Sequence, residues 1–312
     1  MMAEAQDDDD EVFVYMGGNQ QVPHRVRRAK IHQFVKIVRK RAFQNRTSLL
    51  SVELHDGVEI IEEAAFSCCQ SLSCIKLPGV KIVKEYAFWC CDGLADVEFG
   101  DNLQTIEQHA FNSCTALRSI RIPSVRTIGE SAFTNCSELN DVELGEELRT
   151  LEKCALSRCP KLTRIALPLK GNMLRGGVFI FCPLTTIDLV GGIHQTVASL
   201  HMESWRDEML GEINLINQTL PTITSGKTEA IQQWMESVIS RLDNYKAEHK
   251  AILKEATTLL ELALWKANLS DNNGREGERE GVRTVERARK EMPVTSGADV
   301  VIKNVVPFLK LE

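Results

Sequence analysis

One phrase recurs seven times between residues 41 and 189, and its consensus is Ala-Phe-x-x-Cys-x-x-Leu-x-x-Ile-x-Leu. Its phenylalanine slot holds Phe43, Phe66, Phe88, Phe111, Phe133, Leu156 and Phe179, at successive spacings of 23, 22, 23, 22, 23 and 23 residues. A period this short and regular means a chain wound into stacked coils, each burying its apolar side against the next. Within one unit, Ile75 and Leu77 alternate with Cys74 and Lys76, the pattern of a strand buried on one face. Pro78-Gly79 then turns the chain. The fold class that follows is an α/β solenoid with short parallel strands, and such an array favours a binding surface over an active site.

The array opens before the first phenylalanine. Residues 28–32 align with 51–55 at an offset of 23, so 25–41 reads as an incomplete opening coil. That stretch carries Arg25, Arg27, Arg28, Lys30, Arg39, Lys40 and Arg41, which also fits a nuclear address or a nucleic-acid patch. Ile31, Val35, Ile37 and Val38 sit among them at structural positions, and the net charge of -6 points away from nucleic acid. The expected arrangement is an acidic disordered N-terminus over 1–24, the solenoid over 25–193 and a helical hairpin over 194–268. A charged linker over 269–293 and an apolar segment over 294–312, packing on the helices, complete it.

Six of the ten cysteines, Cys69, Cys91, Cys114, Cys136, Cys159 and Cys182, follow the phenylalanine slot by three residues. Stacking places them in one column of buried thiols. No C-x-x-C pair is present, which argues against a zinc site. The start of the chain is acidic, lacking the basic and apolar stretches of a secretory signal, and no apolar run approaches a membrane span. The expectation is a cytoplasmic protein, with the nucleus as the alternative and no membrane partner.

The outward residue of each strand gives a second column: Lys30, Glu53, Lys76, Glu98, Arg121, Glu143, Ala166 and Asp188. Its sign alternates through six coils, so each charge is expected to meet opposite charges above and below. Such a face is a poor attractor for nucleic acid. Arg118, Arg164, Asp96 and Asp141 add charge in the later coils. The candidate partner-binding set is therefore Asp96, Glu98, Arg118, Arg121, Asp141, Glu143, Arg164 and Asp188, a mixture suited to the polar rim of a protein interface.

Beyond Leu189 the period dissolves, and from about Thr196 the spacing becomes helical. Met202, Trp205, Met209, Ile213, Ile216 and Leu220 fall on one face. A seven-residue rhythm then runs through Ile231, Met235, Val238, Leu242, Tyr245, His249, Ile252, Ala256, Leu259 and Ala263, predicting a long helix. The hairpin is expected to cap the last coil, and a homo-oligomer through the 231–263 seam is the alternative role. Ser225-Gly226-Lys227-Thr228 has the end of a phosphate-binding loop but Pro221 where its first glycine is required. No catalytic, cofactor or metal motif is present, so the chain reads as non-enzymatic.

The run at 120–136, IRIPSVRTIGESAFTNC, closely resembles the BspA-type leucine-rich repeat. The resemblance spans about 26–189 and implies a right-handed solenoid that binds proteins or surfaces; many relatives are secreted adhesins. The tail resembles one attached to such repeats in uncharacterised intracellular proteins of unicellular algae. Together these imply a non-catalytic interaction scaffold whose protein partner meets the concave face, the helices, or both.

Overall fold

The computed structural model of the chain describes residues 12–200, 202–223 and 225–273, the last seven of them as backbone only. Labelled in chain order, the longer strands are β1 (Val12–Tyr15), β2 (Arg28–Ile31), β4 (Ser51–Glu53), β6 (Cys74–Leu77), β8 (Asp96–Phe99), β10 (Ser119–Ile122), β12 (Asp141–Leu144), β14 (Arg164–Pro168) and β15 (Thr186–Val190). Two-residue strands β3 (Ile37–Val38), β5 (Ile60–Ile61), β7 (Ile82–Val83), β9 (Thr105–Ile106), β11 (Thr127–Ile128) and β13 (Thr150–Leu151) form a second parallel ladder in sequential order. The expected solenoid of parallel strands is what the chain builds.

The long-strand ladder falls into three pieces, β1-β2-β4, β6-β8 and β10-β12-β14-β15. Coils approach each other closely where the strands end. An added Cβ at Gly100 would lie 1.9 Å from the Pro78 carbonyl, and one at Gly145 would lie 1.8 Å from that of Pro123. Only glycine permits that approach.

The interior is built of columns. Rings of Phe43, Phe66, Phe88, Phe111 and Phe133 stack with neighbouring centroids 4.9, 5.2, 4.9 and 5.2 Å apart, all fully buried. Leu49, Leu72, Leu94, Leu117, Leu139, Leu162 and Leu184 form another fully buried column. Each such side chain contributes about 1.5–3 kcal/mol of burial. The cysteine column is free and buried, and each thiol donates to the main-chain carbonyl at the phenylalanine slot one coil back. The S···O distances run from 3.1 Å for Cys69 to Phe43 to 3.4 Å for Cys136 to Phe111, and Cys182 to Leu156 is 2.9 Å. Burial drives the Cys69 and Cys136 thiols up to about 12 and raises Cys91 and Cys114 well above their ordinary value.

The turn around each phenylalanine has an unusual backbone. The residues two before and two after the slot have positive φ in all seven coils: Arg41 and Asn45, Ala64 and Cys68, Tyr86 and Cys90, His109 and Ser113, Ser131 and Asn135, Cys154 and Arg158, Gly177 and Phe181. This left-handed region is uncommon for non-glycine residues. It turns three N–H groups per coil towards the next coil, as in Arg41 to Glu63, Phe43 to Ala65 and Asn45 to Ser67. Each of the six interfaces between the seven coils repeats those three bonds. A continuous hydrogen-bonded ladder therefore compensates the strained conformers.

The lead-in differs from the expectation. Part of the disordered segment assigned to 1–24 is ordered: β1 pairs in parallel with β2, and Tyr15 is fully buried with its ring 5.3 Å from that of Phe43. The strand Val-Phe-Val-Tyr covers an edge that would otherwise stand open. A strand at Val12–Tyr15 thus precedes the coil that opens at residue 25.

After a short helix α1 (Ile193–Ala198), α2 (Glu203–Thr219) and α3 (Lys227–Asn273) follow. Trp205, Met209, Ile213 and Ile216 of α2 are buried, as are Ile231, Met235, Val238 and Leu242 of α3. Trp234 donates to the Glu212 carbonyl at 2.8 Å, and Arg241 pairs with Glu208 and Glu212. A compact unit ends at Leu242, and α3 continues into a second one. In that second unit Ile252, Leu259, Leu262, Leu264 and Trp265 are exposed. The charged linker expected over 269–293 is helix at its start, since α3 runs on to Asn273; the rest of it and the apolar segment at 294–312 lie outside the described residues.

Candidate functional site

The long strands carry the predicted charge column on their outward positions. Parallel register sets Lys30 opposite Glu53, Lys76 opposite Glu98 and Arg121 opposite Glu143. All three pairs close, at 3.2, 2.6 and 3.5 Å. Glu98 holds the Lys76 ammonium above its ordinary value by hydrogen bonding and charge.

The column alternates in sign but does not pair continuously, and this corrects the expectation of partners both above and below. Each pair lies inside one piece of the ladder, and no ion pair bridges β4 to β6 or β8 to β10 among the described residues. Hydrogen-bonded register is what brings two outward side chains within reach, and it is missing at those two junctions.

Arg164 solves a different problem. Its strand neighbour Ala166 brings no charge opposite Asp188. The Arg164 guanidinium spans the gap, with Nη1 2.6 Å from Asp141 and Nη2 2.6 Å from Asp188. Asp141 first, then Asp188, holds it above the usual arginine value.

Of the eight candidates, six are thus joined: Glu98 to Lys76, Arg121 to Glu143, and Arg164 to Asp141 and Asp188. Asp96 and Arg118 have no ion-pair partner among the described residues, and both are exposed. They flank the junction between β8 and β10, where the Arg118 N–H still reaches the Ala95 carbonyl at 3.3 Å. The basic stretch at 25–41 does not gather on this face. Lys30 belongs to it, whereas Arg39, Lys40 and Arg41 pair with Glu62 and Glu63 beside the short strands.

Sequence reasoning missed the side chains set by the positive-φ turns. Tyr86 stacks on His109 with centroids 5.0 Å apart, and Arg158 lies 5.7 Å over the Phe181 ring. The signal was faint because, of these turn positions, Gly177 alone is the glycine that usually marks such a backbone. Ser225-Gly226-Lys227-Thr228 proves structural. Thr228 Oγ accepts from the Phe179 N–H at 3.1 Å and Lys227 donates to the Leu184 carbonyl at 2.5 Å, closing the last coil. Burial lowers the Lys227 ammonium from its ordinary value. No helix of the described residues is long and apolar enough to cross a membrane.

Six copies of the BspA type leucine-rich repeat match this chain, over residues 25–124 and 81–204. The chain belongs to the BspA-type leucine-rich repeat family. Among curated proteins none matches it. Among solved structures it is similar to the T. pallidum leucine-rich repeat protein, at 28% identity over 54% of this chain and 77% of that one, TM-score 0.40. A leucine-rich repeat protein from Bacteroides ovatus matches at 24% identity over 59% of this chain and 47% of that one, TM-score 0.45. The pneumococcal vaccine antigen PcpA matches at 25% identity over 39% and 31%, TM-score 0.36. Leucine-rich repeat proteins are generally protein-interaction scaffolds, presenting an extended sheet to a partner.

Proposed function

We propose that this chain is a non-catalytic scaffold that binds a protein partner on the outward face of its long strands, in the cytoplasm or nucleus. The supporting observation is the pairing pattern. Lys76–Glu98, Arg121–Glu143 and the Asp141–Arg164–Asp188 bridge satisfy one another, while Asp96 and Arg118 present charge of both signs that no ion pair takes up among the described residues, at the β8–β10 junction. A partner with a complementary pair meets charges that lose no internal bond on binding. The test is a photo-crosslinking side chain at Arg118 in the full chain, with Arg118→Glu and Asp96→Lys as paired variants. One protein crosslinked at Arg118, and lost from affinity capture in both variants, supports the reading. Capture unchanged in both variants removes this face from contention.

A second reading concerns α3. The first half of its seven-residue seam is buried within the hairpin, but Ile252 and Leu259 of the distal half are exposed. A homo-oligomer built on that distal half of the 231–263 seam is the alternative function. Light scattering at micromolar concentration tests it: a monomer mass rules it out.

A further inference from the structure

Among the described residues, the first coil is the one place in the array where the turn ladder meets no preceding coil. Every later coil offers three carbonyls backwards, and each accepts an N–H from the coil before, as Glu63, Ala65 and Ser67 do. The equivalent carbonyls of the first coil belong to Lys40, Ala42 and Gln44. Val12 lies opposite Arg28, a step of 16 residues instead of 22 or 23, so the lead-in supplies a strand and no matching turn. A cleft of about 550 Å³ remains, between residues 18–21 on one side and 39–42 on the other.

Three features of its wall describe the missing occupant. The Gln44 carbonyl is taken by the buried Arg46, whose Nη1 donates to it at 2.6 Å while Nε donates to Val22 at 2.9 Å. The Lys40 and Ala42 carbonyls, two residues apart, receive no hydrogen bond among the described residues. Tyr15 lines the cleft, and its buried hydroxyl has no hydrogen-bond partner among the described residues. An orphaned buried hydroxyl carries a cost that a bound polar group would remove. The charge is also unbalanced. Among the described residues, Arg39, Lys40 and Arg41 share the carboxylates of Glu62 and Glu63, and Arg46 has no ion pair.

We propose that this cleft docks an extended acidic peptide from another protein. Its alternate N–H groups bond the Lys40 and Ala42 carbonyls as a preceding coil would, and its carboxylates meet Arg39, Arg41 and the free N–H groups of Arg46. A small anion answers the charge but brings no donors for the two carbonyls. A peptide of alternating register supplies both, in the manner of strand addition at a sheet edge. The site is separate from the face of the long strands, so each stands or falls alone.

The probe is a fluorescein-labelled octapeptide of alternating aspartate and alanine, titrated into the full chain and followed by anisotropy. Saturable binding is expected, weakened about ten-fold or more by Arg39→Gln/Arg41→Gln. Both side chains are more than half exposed, so the variant keeps its fold, which circular dichroism checks. Methylating alternate backbone nitrogens of the peptide should cost a similar factor. Binding indifferent to that methylation and displaced by inorganic phosphate would mean a plain anion cleft and overturn the proposal. So would the absence of saturable binding. A large gain in affinity on changing Asp7–Asp10 to asparagine would make the chain's own acidic run the occupant, and would equally overturn it.

Discussion

The Asn217 side chain imitates a peptide group for the last strand, accepting from the Ile187 N–H at 2.8 Å and donating to the Ile187 carbonyl at 3.1 Å. A helix of the hairpin thereby supplies what another coil would have given to β15. Thr228 does the same for Phe179 and Lys227 for Leu184, so three side chains terminate the array. Asn217→Leu removes both bonds and leaves two half-buried backbone groups unmatched. The expected loss is about 1–3 kcal/mol, read as a lower denaturation midpoint at unchanged slope. Asn217→Asp keeps the acceptor only and should fall between.

Ser131 sits at φ 52°, one of the paired left-handed positions. Ser131→Gly relieves the conformer but adds chain entropy, so stability should change by under about 1 kcal/mol. Ser131→Val places a β-branched side chain there and should cost at least about 1–2 kcal/mol. Thermal denaturation of the two variants separates the backbone effect from loss of the hydroxyl, since both lack it.

The thiol column predicts alkaline sensitivity. Burial raises Cys69 and Cys136 to about 12 from an ordinary value of 9.0, so the folded chain keeps protons that the unfolded chain releases. The stabilisation is fully present below pH 9 and falls as pH rises towards 12. Each thiol contributes a slope of about 1.4 kcal/mol per pH unit in that window. Denaturant midpoints from pH 8 to 10.5 test it, and Cys136→Ala should flatten the slope whatever it does to stability at pH 8. In the native state Cys74, which is exposed, should react with a thiol reagent well before any column cysteine.

Arg164 bridges two aspartates yet is about half exposed, as they are. Exposed pairs are worth little, so Arg164→Met should change stability by no more than about 1 kcal/mol, less in high salt. A larger loss that persists in molar salt would show that the bridge orders the β12–β15 end of the face.

The sequence made the columns legible because a solenoid turns sequence period directly into spatial neighbours. Phe66 and Phe88 are 22 residues apart and stack at 5.2 Å, and Cys91 finds the Phe66 carbonyl by the same rule. The charge column was legible for the same reason, but its interruption was not. Whether Glu98 meets a partner on the next coil depends on hydrogen-bonded register at β8–β10, which side-chain identity does not encode. The lead-in was hidden by composition. Its acidic start suggested disorder, and four residues of strand at Val12–Tyr15 are too few for a periodic signal. The positive-φ pairs were hidden most thoroughly, since Ala64, Tyr86 and Cys90 are poor markers of that conformation and are held there by the ladder rather than by their own preference.

That ladder has an electrical consequence. The peptide bonds ending at Arg41, Phe43 and Asn45, and their equivalents in each later coil, all point their N–H groups forwards and their carbonyls back. Their dipoles, about 3.5 D each, add along the stack as they do in a helix but with the opposite polarity relative to chain direction. The first coil becomes a negative pole, where Arg39, Lys40, Arg41 and Arg46 collect, and the last a positive one, met by the hydroxyl oxygen of Thr228. The two ends of the array thus differ in sign before any ionised side chain is counted.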